Sequence, residues 1–545
     1  MTHRAAEPCT GRRFFPLVLA FFFVSGASGL LYQVVWTRRL VLLFGAAHYA
    51  VSTVLCVFFL GLGAGSLWGG RLADRVRRPL WVYGVFEVII GLWAALLIGL
   101  FDRGESVIVL LMKSVPALRV AAIGLRGALT VVFLIVPVTL MGATLPLLAR
   151  DVARHHDGRG LRIGALYSLN TFGAVAGCAL TGFVFLERFG YARSTLLGVA
   201  ANLSVGLAAM AIGWRADREP EALHAPLQHV TPHPYTFGHT VLLAAYGLSG
   251  FCALALEVLW TRLLSLVFVG TTYAFTTVLA TVLVGIATGS AVASFLADRC
   301  RRNAFLFGCI EILIGVACIV MLAVVAGLPE RLQAFERDLG FHWDKLVYAK
   351  FVLAFSALFA PTFLFGMTFP LVIHAATENQ GCLGRNVGRF YSANTLGGVL
   401  GALAGGYVLI PLVGTHDGVL VLAGILFGVG VLVIAVSAGG HFPRFAAVTA
   451  GAALLLAAHT YAAPSNVCEA LNEGYLPQGE RLIHFCEGVE ATVAVSEPLD
   501  APKGADRMLW INAVQATASI EKGVRMNRFQ GLLPLLFNRD PQRVL

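Results

Sequence analysis

Glu87 and Glu311 each stand in a long apolar stretch, and 224 residues separate them. A carboxylate in hydrocarbon costs several kcal/mol unless it is paired or protonated, so such an acid is a candidate for handling protons, cations or polar solutes. The same interval links Asn170 to Asn394, two amides within apolar segments, and Asp74-Arg75 to Asp298-Arg299, which lie in short basic segments. The glutamates and asparagines are therefore substrate-binding candidates. The Asp-Arg pairs can pair with neighbouring helix ends and act as a conformational latch. Recurrence fits an architectural ion pair equally well, or a side chain reaching towards the membrane interface. Arg126 and Lys350 begin apolar runs and fit that interfacial role. Glu257, matched by Gln33, is expected to satisfy polar groups near Arg262.

The elements that must hold these groups follow from composition. Of 545 residues, 58% are hydrophobic and only 13% charged, and the mean hydropathy is +0.78. A soluble domain averages roughly 25% charged residues, so this chain has too little polar surface to cover a globule in water. It reads as a multi-spanning membrane protein. The net charge of +10 resides in short links between apolar runs, and so is a topological signal rather than a nucleic-acid footprint.

At about 20 residues per helical crossing, six candidates fall near 14–35, 49–70, 80–101, 121–148, 163–186 and 194–214. A polar link over 215–238 precedes six more, near 239–261, 272–296, 304–328, 351–376, 389–412 and 417–438. The two membrane halves are thus 1–214 and 239–438, with an Ala-rich thirteenth crossing expected at 444–463 and a mixed tail over 464–545.

"SGASGLLYQVVWTRRL" at 25–40 is answered by "SGFCALALEVLWTRLL" at 249–264, and the 224-residue register continues without a gap. Pro137, Gly142 and Pro146 meet Pro361, Gly366 and Pro370; Tyr167 and Gly173 meet Tyr391 and Gly397. The sequence is a six-plus-six duplication, and an even number of helices per unit makes the repeats parallel. Basic clusters follow the second, fourth, eighth and tenth crossings, on the side that also holds Arg4, Arg12 and Arg13. That side is expected to be cytoplasmic, at the inner (plasma) membrane of a bacterial-type cell, with the amino terminus inside and the tail outside.

Other patterns carry no chemistry. "GLGAGS" at 61–66 lies inside an apolar span with no preceding strand, so it is not a nucleotide loop. His224, His229, His233 and His239 belong to the link. No zinc spacing, catalytic triad or phosphate loop occurs, so no metal site and no catalytic residue is expected. Cys468 and Cys486 flank a polar stretch, and in an oxidising compartment they can form a disulfide.

"GGRLADRVRR" at 69–78, echoed by "SFLADRCRR" at 294–302, resembles the signature loop of the major facilitator superfamily, although the glycine that follows the Asp-Arg pair there is absent. The resemblance implies an all-α polytopic membrane protein of that type. In the tail, "VEATVAVSEPLD" and "RMLWINAVQATAS" read as two strands joined by a turn, followed by a short helix. That order, with Gln515 at the position of a glutamine lining the nucleoside and polyamine site, is similar to the beginning of spermidine synthases. Together the chain resembles the fused major-facilitator/spermidine-synthase family. The resemblance implies a transporter-like domain handling a small amine, or else a membrane anchor for an aminopropyltransferase. That family's donor is decarboxylated S-adenosylmethionine. The acidic residues and Tyr-His pair that follow the glutamine in the family are replaced by "SIEKGVRMNRFQ", and the sequence stops before a glycine-rich strand. No cofactor site and no aminopropyl transfer are therefore expected of these residues. The bilayer and a small amine are the expected partners.

Overall fold

The computed structural model describes residues 10–437 and 466–537, apart from 45–46, 115–118, 155–158, 217–236, 269–271, 301, 340–342, 378–382, 489–490 and 501–505. The first half comprises α1 (Thr10–Phe44), α2 (Ala47–Arg75), α3 (Pro79–Ser114), α4 (Arg119–Arg154), α5 (Arg159–Leu180) and α6 (Leu186–Ala216). The second comprises α7 (Phe237–Phe268), α8 (Thr272–Ala297), α9 (Asn303–Ala326), a short amphipathic α10 (Leu328–Leu339), α11 (Trp343–Thr377), α12 (Leu383–Ala404) and α13 (Ile410–Ser437).

Ten stretches of these helices are long and apolar enough to cross a membrane. Two of them, Arg162–Arg215 and Arg385–Ser437, contain 54 and 53 residues. At about 1.5 Å per residue each is more than twice the thickness of the hydrocarbon core, so each supplies two crossings. The fold back occurs where a glycine leaves helical geometry: Gly190 (φ 69°, ψ −174°) and Gly414 (φ 83°, ψ 172°). Only glycine visits that backbone region readily. A π-helical turn precedes each break, at Thr181–Phe185 and Gly405–Leu409. The described residues thus make twelve crossings. The expected thirteenth, at 444–463, lies outside them, as does most of the link at 217–236.

Each half packs in the same way. In the first, α1 lies on α5 and α6, α2 on α4, and α3 on α6; in the second, α7 lies on α12 and α13, α8 on α11, and α9 on α13. Between halves, α2 meets α12 and α5 meets α8, which is the cross-pairing of a parallel duplication. Close approach depends on small residues. A Cβ on Gly65 would sit 1.9 Å from the Thr139 carbonyl oxygen, and one on the matching Gly289 would sit 1.8 Å from that of Phe363. Large side chains such as Leu92, Val132, Leu207, Leu400 and Leu432 remain more than half exposed, as a lipid-facing surface requires.

The tail begins with α14 (Val467–Glu473), whose first turn is capped by the Asn466 side chain accepting from the Cys468 and Glu469 amides. It continues as an antiparallel meander in the order β1-β2-β3-β4: Glu480–Glu487, Thr492–Pro498, Met508–Ile511 and Val514–Ala518. α15 (Glu521–Phe537) follows. Four strands stand where two were expected. The run "RMLWINAVQATAS" is itself a hairpin, turned by Asn512 (φ 50°) and Ala513 (φ 60°). Two consecutive positive φ values are the signature of a tight hairpin turn that usually carries Asn-Gly. Alanine in place of the glycine, among β-branched residues, hides the turn in the sequence. Asn512 also anchors the sheet, because its side-chain oxygen accepts from the Thr492 amide at 2.9 Å.

Candidate functional site

Glu87 and Glu311 have different surroundings. Glu87 is fully buried on α3. Ser25 on α1 donates to its Oε1 at 2.5 Å, and the Asn202 amide on α6 donates to its Oε2 at 2.6 Å. Asn202 in turn accepts from the Tyr32 hydroxyl at 3.1 Å, and Tyr83 stands beside the carboxylate. Three helices of the first half therefore meet on one acid. A network so completed is stable in a low-dielectric interior.

Glu311 on α9 is equally buried, yet neither of its carboxyl oxygens has a hydrogen-bond partner. Ser249, the counterpart of Ser25, interacts with it without completing a hydrogen bond. The other three partners have changed type: Tyr32, Tyr83 and Asn202 correspond to Leu256, Phe307 and Leu426. Cys252 and Cys318 complete the surroundings, and both are buried.

The basic loops differ as well. Asp74 accepts from the Arg385 backbone amide, in the first turn of α12, at 3.2 Å, and lies 3.9 Å from Arg150 of α4. A carboxylate at a helix amino terminus is stabilised by free N–H groups and by the helix dipole. This contact joins the two halves on the basic face. Asp298 instead pairs with His374 of α11 at 3.2 Å, inside its own half, and His374 is the counterpart of Arg150. Asp74 thus makes its contact across the halves, and Asp298 makes its own within one half. Arg75 and Arg299 are exposed, the latter with its guanidinium 3.6 Å above the Phe295 ring.

Asn170 and Asn394 sit at matching joints, α1 with α5 and α7 with α12. A Cβ on Gly26 would lie 2.1 Å from the Asn170 carbonyl oxygen, and one on Gly250 equally close to that of Asn394. The Asn394 amide donates to the Tyr246 carbonyl at 3.0 Å. Lys350 donates to the Phe268 carbonyl at the end of α7, a favourable place for a cation. The side chain of Arg126 lies outside the described residues. Glu257 does not serve Arg262 as expected: Arg262 donates to the Gly488 carbonyl of the tail at 2.8 Å. Glu257 is partly exposed within its span and has no hydrogen bond or ion pair among the described residues.

The tail is fastened to the second half alone among the described contacts. Glu487 accepts from the Thr415 amide at 3.0 Å and from its hydroxyl, just after the Gly414 break, where a helix begins afresh. Tyr475 donates to the Val267 carbonyl at 2.9 Å, and Gln333 of α10 donates to the Gly474 carbonyl at 3.2 Å. Burial pushes the Tyr475 hydroxyl well up, and the Glu336 charge adds to that. All of these anchors lie on the face opposite Asp74 and Asp298. Cys468 and Cys486 are free thiols rather than a disulfide. Side chains alternate along a strand: Glu487 turns towards α14 and α13, and Cys486 beside it is exposed. Cys468 is buried, and burial pushes its thiol up, with the Glu487 charge adding to the effect. Gln515 is exposed on β4, its amide 3.4 Å from the Met508 sulfur. No group of three metal-ligating side chains gathers among the described residues.

Sequence reasoning missed Ser25, Tyr32, Tyr83 and Asn202. Ser25 is matched by Ser249, and only the two tyrosines and the asparagine differ between the halves, which is the signal that could have found them.

Twelve crossings in two parallel halves, joined on one face by an aspartate on a helix terminus, define a membrane transporter of the major facilitator type. The sequence model described as Major Facilitator Superfamily matches residues 17–402, and the chain belongs to that family. Among solved structures it is similar to a bacterial homologue of the iron transporter ferroportin in an outward-facing state, with 14% identity, 77% of this chain and 98% of that chain covered, and a TM-score of 0.52. It is also similar to the fucose:proton symporter FucP of E. coli, with 12% identity, 78% and 98% covered, and a TM-score of 0.47. The human organic anion transporter MFSD10 (TETRAN) gives 12% identity, 78% and 99% covered, and a TM-score of 0.49. The first of these is a likeness of fold. No curated protein matches the chain.

Proposed function

We propose that this transporter moves a small amine cation, such as a polyamine, by rocking its two halves, with the basic face in the cytoplasm and the tail outside. Glu257 carries the reading: it is a carboxylate within a membrane span of α7, partly accessible and without a partner among the described residues. Once ionised, such a group attracts a cation strongly in a low-dielectric setting. Asn170 and Asn394, each partly exposed, supply further polar groups to the path. The resemblance of the tail to spermidine synthases supports an amine as the solute. Uptake of labelled putrescine into proteoliposomes, against a neutral sugar and an organic anion, tests it. Putrescine uptake that falls at least tenfold in Glu257→Gln is expected; selective uptake of the anion would overturn the reading.

A second reading has its own observation. The antiparallel meander followed by α15 has the order of the spermidine-synthase beginning, and it lies beyond the matched residues 17–402. In that reading the membrane halves anchor an aminopropyltransferase. A glycine-rich nucleoside-binding segment encoded downstream of Leu545 would favour it, with turnover of putrescine and decarboxylated S-adenosylmethionine only when that segment is supplied.

A further inference from the structure

The duplication provides an internal control for Glu311. The first half surrounds its buried glutamate with Ser25, Tyr32, Tyr83 and Asn202; the second keeps only the serine and replaces the rest with Leu256, Phe307 and Leu426. Both halves carry the carboxyl group but only the first carries these donors, and both oxygens of Glu311 are buried without a hydrogen bond. An ionised carboxylate cannot rest there, because desolvation far exceeds anything the neighbours return.

The groups that face Glu311 offer no counter-charge. From α7 come Tyr246, Ser249 and Cys252, and from α9 itself comes Cys318. α11 places Thr368 beside Tyr246, and the α13 counterpart of Asn202 is Leu426. None of these is cationic. The two thiols and the carboxyl group do not form a metal-binding cluster among the described residues.

We propose that Glu311 is a proton-binding site: its carboxyl group carries a proton in this conformation, and release of that proton to solvent accompanies a shift of α9 against α7 and α13. The second half is then the pH-responsive half, and Glu87 is a fixed strut. This rests on the transporter reading but not on the amine, and its test needs no solute. α9 packs along α13 through Gly308 and Gly430, whose backbones approach closely enough that a Cβ on Gly308 would lie 2.9 Å from the Gly430 carbonyl oxygen. Such a smooth contact permits sliding.

Infrared spectra of the purified full chain at neutral pH should contain the carbonyl band of a protonated carboxyl group in apolar surroundings. The band should vanish in Glu311→Gln and persist in Glu87→Gln. Spin labels on unnatural amino acids at the exposed positions Arg71 and Arg302 then read the distance between halves as pH is raised. The wild-type distance distribution should change, and that of Glu311→Gln should stay in the low-pH form throughout. Leu426→Asn, which returns the missing donor, should move the midpoint of the response to lower pH. If Glu87→Gln does not fold, Asn202→Leu serves as the first-half control. A band unchanged in Glu311→Gln, or a wild-type pH response retained in that variant, overturns the proposal.

Discussion

The two halves share a backbone and differ in what their side chains do with it. Gly65 and Gly289, Gly26 and Gly250, and Gly190 and Gly414 occupy equivalent joints and breaks. Around that common frame the first half completes the network of Glu87 and reaches across the interface with Asp74. The second half strips the donors from Glu311, keeps Asp298 for its own His374 and carries the tail. Backbone contacts are hard to alter because a Cβ would strike main-chain atoms. Side-chain networks can be lost one donor at a time. The two halves share the first kind and differ in the second.

The shared frame should break equally in both halves, and this is the largest effect expected. Gly65→Val and Gly289→Val each force a Cβ into a carbonyl oxygen, at 1.9 and 1.8 Å. Overpacking costs about 1–3 kcal/mol and occasionally more, and here the clash is with main-chain atoms that cannot move aside, so both variants should yield aggregated protein on size exclusion. A well-behaved variant in one half only would show that the frames are not equivalent. Next comes the carboxylate network. Asn202→Leu gives the first half the residue of the second and removes the donor to Glu87, at a cost of about 1–3 kcal/mol. A clear fall in melting temperature is expected, with Tyr32→Leu giving a smaller one.

The contacts of Asp74 and Asp298 should distinguish the halves more subtly. Asp74→Asn weakens the contact with the first turn of α12 by about 1 kcal/mol and should raise the labelling of introduced cysteines between the halves on the basic face. Asp298→Asn should leave that labelling unchanged. In the tail, Cys486 is exposed and Cys468 is buried with its thiol pushed up, so a water-soluble maleimide should modify Cys486 and spare Cys468 in the folded protein. Gln515→Ala, at an exposed strand position, should change the melting temperature least, within about 0.5 kcal/mol.

The architecture was legible because hydrocarbon imposes a length on each helix and the duplication repeats it. Even the folds back at Gly190 and Gly414 fall between the expected crossings, at 186–194 and 412–417. The positions of Glu87, Glu311, Asp74 and Asp298 were legible too, since charge is conspicuous in apolar sequence. Their partners were not. Asn202 is 115 residues from Glu87, and nothing local marks it as a donor. The strap between Glu487 and Thr415 was hidden for the same reason, and the hairpin at Asn512-Ala513 because its second turn residue is not glycine.

The break at Gly190 has a consequence concerning handedness rather than space. A Cβ added there would meet nothing within 4 Å, so by volume any small residue fits. The obstacle is chirality: φ 69° with ψ −174° mirrors the extended conformation that L-residues favour. A D-alanine introduced at position 190 by semisynthesis should therefore fold as the glycine does, while L-alanine at the same site should strain the fold back within α6. In this part of the molecule the sequence specifies a mirror image, and glycine is the one genetically encoded residue that supplies it without strain.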